Sequence, residues 1–344
     1  MAINLNQKTN TMTTSQTNIF DVGVFGFIKI LMRGTAQVMF QGSAWCGLFF
    51  IAGIFWGAYD TGMHYMAWGA LLGLMVSTAT GYILNQPQED GREGLWGFNG
   101  VLVGCAFPAF MGNTVWMWLA LVLCAALTTW VRTGLNNVMR PWKVNSFTFP
   151  FVLCSWLFVL ASHVMHSLPA LHTSSHIAHS LAQVHTHLAI YDVWSVIKVW
   201  LSGISQVFLI DSWVTGLLFL IGLFISSRWA ALWALIGSAL SMGMAVVMGL
   251  PINHIDAGLY SFSAVLTAIA LATVFYKPSW RSALWALLGV LVTVVVQAAM
   301  NVAMKPVGIA TFTAPFCVTT WLFLLPMFQL DERDPDHSSW HHRS

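Results

Sequence analysis

The chain repeats itself, and the repeat limits what it can fold into more than any other feature. Gly34-Thr35-Ala36-Gln37-Val38-Met39-Phe40 returns 169 residues on as Gly203-Ile204-Ser205-Gln206-Val207-Phe208-Leu209, and Gly47-Leu48 returns at the same offset as Gly216-Leu217. Gly94-Leu95-Trp96-Gly97-Phe98-Asn99-Gly100-Val101-Leu102 returns 164 on as Gly258-Leu259-Tyr260-Ser261-Phe262-Ser263-Ala264-Val265-Leu266. Thr148-Phe149-Pro150-Phe151 returns 165 on as Thr313-Ala314-Pro315-Phe316, and each copy runs on to a Trp-Leu-Phe, at Trp156 and Trp321. Blocks in one order at nearly constant spacing mark a duplication. It divides the chain into a polar tail (1–19), a first repeat (20–161), a His-rich linker (162–192), a second repeat (193–328) and a polar C-terminal tail (329–344).

The repeats are apolar beyond what water tolerates. Of 344 residues 57% are hydrophobic and 8% charged, with mean hydropathy +0.71; a soluble chain carries about 25% charged residues. The long apolar runs, such as 116–130, 215–225 and 283–303, lack a two-residue alternation, which favours helices over a barrel. Crossings are expected near 24–40, 43–58, 63–84, 114–131 and 149–161, then 194–210, 213–227, 229–249, 282–304 and 314–328. An odd number per half reverses the second copy. The fold class is therefore an all-α integral membrane protein of two inverted-topology repeats, each of about five transmembrane helices plus one re-entrant half-helix, about ten spans in all. Lys29, Arg33, Lys277 and Arg281 place both termini on the cytoplasmic side and the linker outside. The first 19 residues have no short apolar core, so no cleavable signal is expected.

The segment 94–110 is unusual for a crossing, with Gly94, Gly97, Asn99, Gly100, Gly104 and Pro108. Irregular backbone at membrane depth belongs where it is buried or lines a cavity. Paired Gly- or Pro-interrupted segments in two halves point to a binding site; the second copy is 256–271. What the halves repeat is an amide, a hydroxyl beside proline and aromatic rings, without a charge. An unpaired charge inside a membrane is costly and marks ion handling, so the repeated groups suit a neutral polar solute.

Other classes find little support. A net charge of +2 with no basic patch argues against nucleic acid. The five cysteines sit singly in apolar stretches, without CxxC spacing, and read as small buried hydrophobes; no metal site or cofactor is expected. Asp60, Asp192, Asp211 and Asp256 are scattered near span ends, with no HExxH or GxSxG, so the chain is not read as an enzyme. Seven linker histidines (His163, His166, His172, His176, His179, His185, His187) suit a solvated linker, metal binding or an acid sensor.

The Gln-Val-x-Phe block, the run 94–104 and the doubled Thr-x-Pro-Phe resemble the urea transporter (urea channel) family in its bacterial members, over about residues 30–328. The resemblance implies channel-like, facilitated diffusion of urea across the inner (plasma) membrane. It also implies a homotrimer in the lipid bilayer, each protomer with its own pore along a pseudo-twofold axis. Carried over, Phe40, Phe98 and Leu102 would line a flat slot with Leu209, Phe262 and Leu266. Gln37 with Thr148, and Gln206 with Thr313, would form polar sites at its two ends, and backbone carbonyls at the re-entrant helix ends would add acceptors. A channel for ammonia, water or a short amide, or an ion-coupled transporter, are the alternatives.

Overall fold

The computed structural model describes residues 23–168 and 192–331. The N-terminal tail, residues 332–344 and His172, His176, His179, His185 and His187 lie outside the described residues.

The first half runs α1 (Gly23–Gln37), α2 (Ala44–Asp60), α3 (His64–Ile83), α4 (Gln88–Arg92), α5 (Phe98–Phe110), α6 (Val115–Met139) and α7 (Phe149–Ser162). The second runs α8 (Val193–Ser205), α9 (Trp213–Ser226), α10 (Arg228–Val247), α11 (Ile252–Asp256), α12 (Phe262–Ile269), α13 (Trp280–Met304) and α14 (Ala314–Leu324). The two series match helix for helix, including the short α4 and α11. Small hydroxyl side chains start several of them. Ser43, Thr114 and Ser227 accept from backbone N–H groups three residues on, which satisfies donors the first turn leaves over. Pro150 and Pro315 sit in the first turns of α7 and α14, where the missing N–H costs nothing.

Four helices are long and apolar enough to cross a membrane alone: α3, α10, and α6 and α13 with their terminal turns, 28 residues each. α8 with its following turn and α9 would make a fifth only as one broken span, bent by 74°. The other apolar helices of the set have 10–17 residues. At about 1.5 Å per residue, the 13 residues of α5 reach roughly 20 Å, short of the roughly 30 Å of hydrocarbon. α6 runs on to Met139, past the apolar stretch that ends near 131. Its polar last turns find tertiary partners: Arg132 Nη1 lies 3.0 Å from Asp90 Oδ2, and Thr133 donates to Gln86 Oε1 at 2.7 Å.

Contacts between the halves come in exchanged pairs. Trp156 Nε1 donates to Ala310 O at 2.8 Å, and its counterpart Trp321 donates to Asn145 O at 2.8 Å. Phe147 packs on Phe275 and Phe316, both with centroids at 5.5 Å. Its counterpart Phe312 packs on their counterparts, Phe110 at 5.3 Å and Phe151 at 5.1 Å. A surface in which i meets j and j meets i is isologous, and it has a twofold axis. Two pairs of counterparts touch each other directly and so lie on that axis: Phe50 with Phe219 at 4.8 Å, and Thr148 with Thr313. One apolar core runs through both halves. The outside carries large apolar side chains more than half exposed, including Trp45, Trp56, Trp68, Val115, Trp116, Phe224 and Trp280.

Candidate functional site

The backbone leaves the helical path at equivalent places in the two halves. Phe40 (φ 61°) and Leu209 (φ 62°) follow the ends of α1 and α8, and Phe147 (φ 51°) and Phe312 (φ 48°) precede α7 and α14. Left-handed backbone is costly for bulky residues, of order 1 kcal/mol or more, and such strain gathers at working sites. Here it turns large apolar side chains inward. The ring of Phe40 meets Phe147 at 6.2 Å, Phe275 at 6.1 Å and Phe316 at 5.9 Å, all edge-on.

Gly94 (φ 86°) and Gly258 (φ 71°) make the sharp turns that lead into α5 and α12. Each lies against the backbone of a glycine in the first helix of its half, Gly34 and Gly203, so no side chain fits between them. The carbonyl just before each turn is held by a glutamine. Gln37 Nε2 donates to Glu93 O at 3.0 Å, and Gln206 Nε2 donates to Ala257 O at 2.8 Å. Both glutamines thus clamp the turns through their amide nitrogens, which leaves each side-chain oxygen turned to other use.

The threonines correct one expectation. Thr148 and Thr313 were expected at opposite ends, each beside a glutamine. Instead their hydroxyls share one hydrogen bond of 2.7 Å, both buried, with Cys317 Sγ 3.4 Å from Thr148 Oγ1. They mark a centre because each stands at the start of a helix packed across the local twofold.

Phe98 and Phe262 open α5 and α12, one turn before Leu102 and Leu266; the rings are 5% exposed and both leucines are fully buried. The rings that meet Phe40 come from Phe147, Phe275 and Phe316, whereas Phe98 has the Arg132 guanidinium over its face, 5.9 Å from the centroid.

Sequence reasoning missed several groups here. Asn99 Nδ2 and its counterpart Ser263 Oγ are buried without a hydrogen-bond partner, and so are Ser155 Oγ and its counterpart Thr320 Oγ1. Unpartnered buried polar atoms are rare and call for an explanation; these recur in pairs, on α5 and α12 and on α7 and α14. The sequence held a signal for the second pair: a hydroxyl residue stands just before the tryptophan in both Trp-Leu-Phe blocks. Arg132 left no such signal, because its counterpart is Gln297.

Among the described residues, no ionisable carboxylate or base joins the threonine contact. Charge gathers at the two clamps, differently in each half. Beside Gln37, Arg33 donates to Arg92 O at 2.9 Å, and Arg132 pairs with Asp90. On the Gln206 side lie Asp256, next to the clamped carbonyl, and Asp211. Burial pushes the Asp211 carboxyl up to about 6, against a hydrogen bond from Ser202 and with help from the charge of Asp256. Among the described residues no three His, Cys, Asp or Glu side chains gather as a metal site would require.

Residues 28–327 match the urea transporter family. The chain is 29% identical over 306 residues to Urea transporter 1 of Ovis aries, across 87% of this chain and 77% of that relative. It is 28% identical over 308 residues to Urea transporter 1 of Rattus norvegicus (88% and 77%), and 27% over 308 residues to that of Mus musculus (88% and 77%).

Proposed function

The chain belongs to the urea transporter family, and from that premise we propose a passive urea pore whose narrowest point is the Thr148–Thr313 contact. The protein is a membrane transporter for urea, not an enzyme. The finer reading is ten crossings in two inverted repeats (20–161 and 193–328), with α5 and α12 as re-entrant helices. It adds a homotrimer in the lipid of the plasma membrane, termini in the cytoplasm and the linker outside. The exposed apolar side chains of the outer surface suit lipid and neighbouring protomers.

The observation that carries the reading is the meeting of two neutral hydroxyls on the local twofold, with aromatic residues on both sides. In an inverted pair that axis lies in the membrane plane. A path through the membrane therefore crosses the axis at the threonines; it does not run along it, as first expected. Urea is flat and carries four N–H donors and one strong acceptor. Each polar group left unmatched in an apolar passage costs about 2 kcal/mol or more. Thr148 and Thr313 can both donate and accept, the side-chain oxygens of Gln37 and Gln206 can accept, and the unpartnered Asn99 Nδ2 and the hydroxyls of Ser155, Ser263 and Thr320 supply further groups. Phe40, Phe98, Leu102, Leu209, Phe262 and Leu266 supply apolar walls, where a hydrated ion could not recover its shell. Such a path needs no coupling ion.

The test is stopped-flow light scattering of proteoliposomes. Urea should enter fast without any ion gradient. Flux that requires sodium or a proton gradient would make the protein a coupled transporter, and ammonia or water flux without urea flux would assign another neutral solute.

A further inference from the structure

We propose that Arg132 and Asp90 form a positioning device for one wall of the slot, holding the Phe98 ring from behind and so setting how strictly flat solutes are preferred. The inference rests on the urea-pore reading above. Arg132 is 5% exposed, its Nη1 is 3.0 Å from Asp90 Oδ2, and its guanidinium carbon lies 5.9 Å from the centre of the Phe98 ring. Asp90 is anchored on α4, the short helix before the clamped turn at Glu93. A cation over an aromatic face is attracted to the ring quadrupole, and the more so where water is excluded. With one face engaged by the guanidinium, the ring has its other face and its edge to offer a passing solute.

The second half shows that the fold does not demand this pair. The counterpart of Arg132 is Gln297 and that of Asp90 is His254. Gln297 Nε2 donates to Asn301 Oδ1 at 2.9 Å and Thr311 Oγ1 at 2.7 Å, within its own half. α13 is 25 residues long, as α6 is, with a neutral amide at this place. Arg132 is buried while Asp90 is only partly so (side chains 6% and 32% exposed), and the buried charge carries a desolvation cost that a neutral amide avoids. Its retention behind one ring only is therefore not explained by packing. It makes Phe98 the stiffer wall and Phe262 the softer one, so discrimination falls on the first-half side.

The experiment uses the full chain in proteoliposomes, with urea and N-methylurea permeabilities measured on the same vesicles. Arg132→Gln places in the first half what stands in the second. It should lower the urea to N-methylurea ratio by about fivefold. Asp90→Asn should lower it less, and Arg132→Lys should restore about half of what Arg132→Gln loses, because a cation remains over the ring. A second measurement does not depend on flux: 4-fluorophenylalanine at position 98 followed by fluorine NMR. It should give one narrow resonance in the parent chain and a broadened or split one with Arg132→Gln, while the same label at position 262 stays unchanged. A folded Arg132→Gln protein with an unaltered ratio overturns the proposal, as does an unaltered resonance at 98. A parent chain that passes no urea would overturn the pore reading instead, and the resonance would still decide whether Arg132 holds the ring.

Discussion

The two halves share a backbone and differ in charge. At the first clamp the chain uses Arg33, Arg92 and the Asp90–Arg132 pair; at the second, the same positions hold Ser202, Asp256, His254 and Gln297. The elements that set the backbone recur: the left-handed residues at 40 and 209 and at 147 and 312, the glutamine clamps, and the hydroxyls at the centre. The difference teaches that geometry is held in common while electrostatics is free to diverge between the two sides. On the pore reading proposed above, a site built for a charged solute would not leave that freedom beside its glutamines.

The sharpest way to break the comparison is at the turns. A methyl on Gly94 would fall on the Gly34 backbone nitrogen, and one on Gly258 would come within 2.7 Å of the Gly203 nitrogen, both at positive φ. Gly94→Ala and Gly258→Ala should each cost about 3 kcal/mol or more, from strain and overpacking together. The first should be the worse, read as loss of the monodisperse peak in detergent and of the thermal transition. Tolerance of either substitution would show that its turn does not depend on the close backbone approach.

Next are the threonines. Thr148→Val and Thr313→Val each leave a hydroxyl buried without its partner, a cost of about 1–3 kcal/mol. Urea flux should fall about tenfold or more in each, since about 1.4 kcal/mol in a barrier is tenfold in rate. Because the pair lies on the local twofold, the two losses should match within about threefold. A large inequality would move the narrow point off the axis.

The smallest effect tests the divergence. Asp211 has Gly42 as its counterpart. Its carboxyl is raised from 3.8 to about 6 in the folded chain, so the folded state binds the proton more tightly than the unfolded. The stability it contributes is complete below 3.8 and is lost as pH rises through 6. Asp211→Asn should therefore raise the unfolding temperature by a few degrees at pH 7.5, on the order of 1 kcal/mol, and change little at pH 4. A gain that persists at pH 4 would place its cause outside titration.

Much of this was legible in the residues. The apolar runs gave most helix ends to within a few positions, because Pro150, Pro315 and the caps Ser43, Thr114 and Ser227 are local signals. The end of α6 was not, since Arg132 and Thr133 continue the helix only by virtue of partners 42 and 47 residues away. The length of α14 also escaped, since it stops at Leu324 while the apolar run reaches 328: an apolar run says where lipid or core can lie, not whether one helix fills it. The candidate site was legible as a set of repeated residues but not as an arrangement. Repetition named Thr148 and Thr313; only the packing of the halves brings them together, whereas the family resemblance implied opposite ends.

The Thr148–Thr313 bond carries a consequence of its own. Two hydroxyls joined by one hydrogen bond have two states, with donor and acceptor exchanged, and the Cys317 thiol beside Thr148, where the other half has Val152, biases the choice between them. The middle of the molecule thus holds a small dipole that can point either way. Rotation about two C–O bonds reverses it, and side-chain rotations of this size take picoseconds to nanoseconds. On the pore reading proposed above, a molecule arriving carbonyl-first would be met by a proton and one arriving amide-first by a lone pair, whichever side it came from, while the backbone stayed where it is.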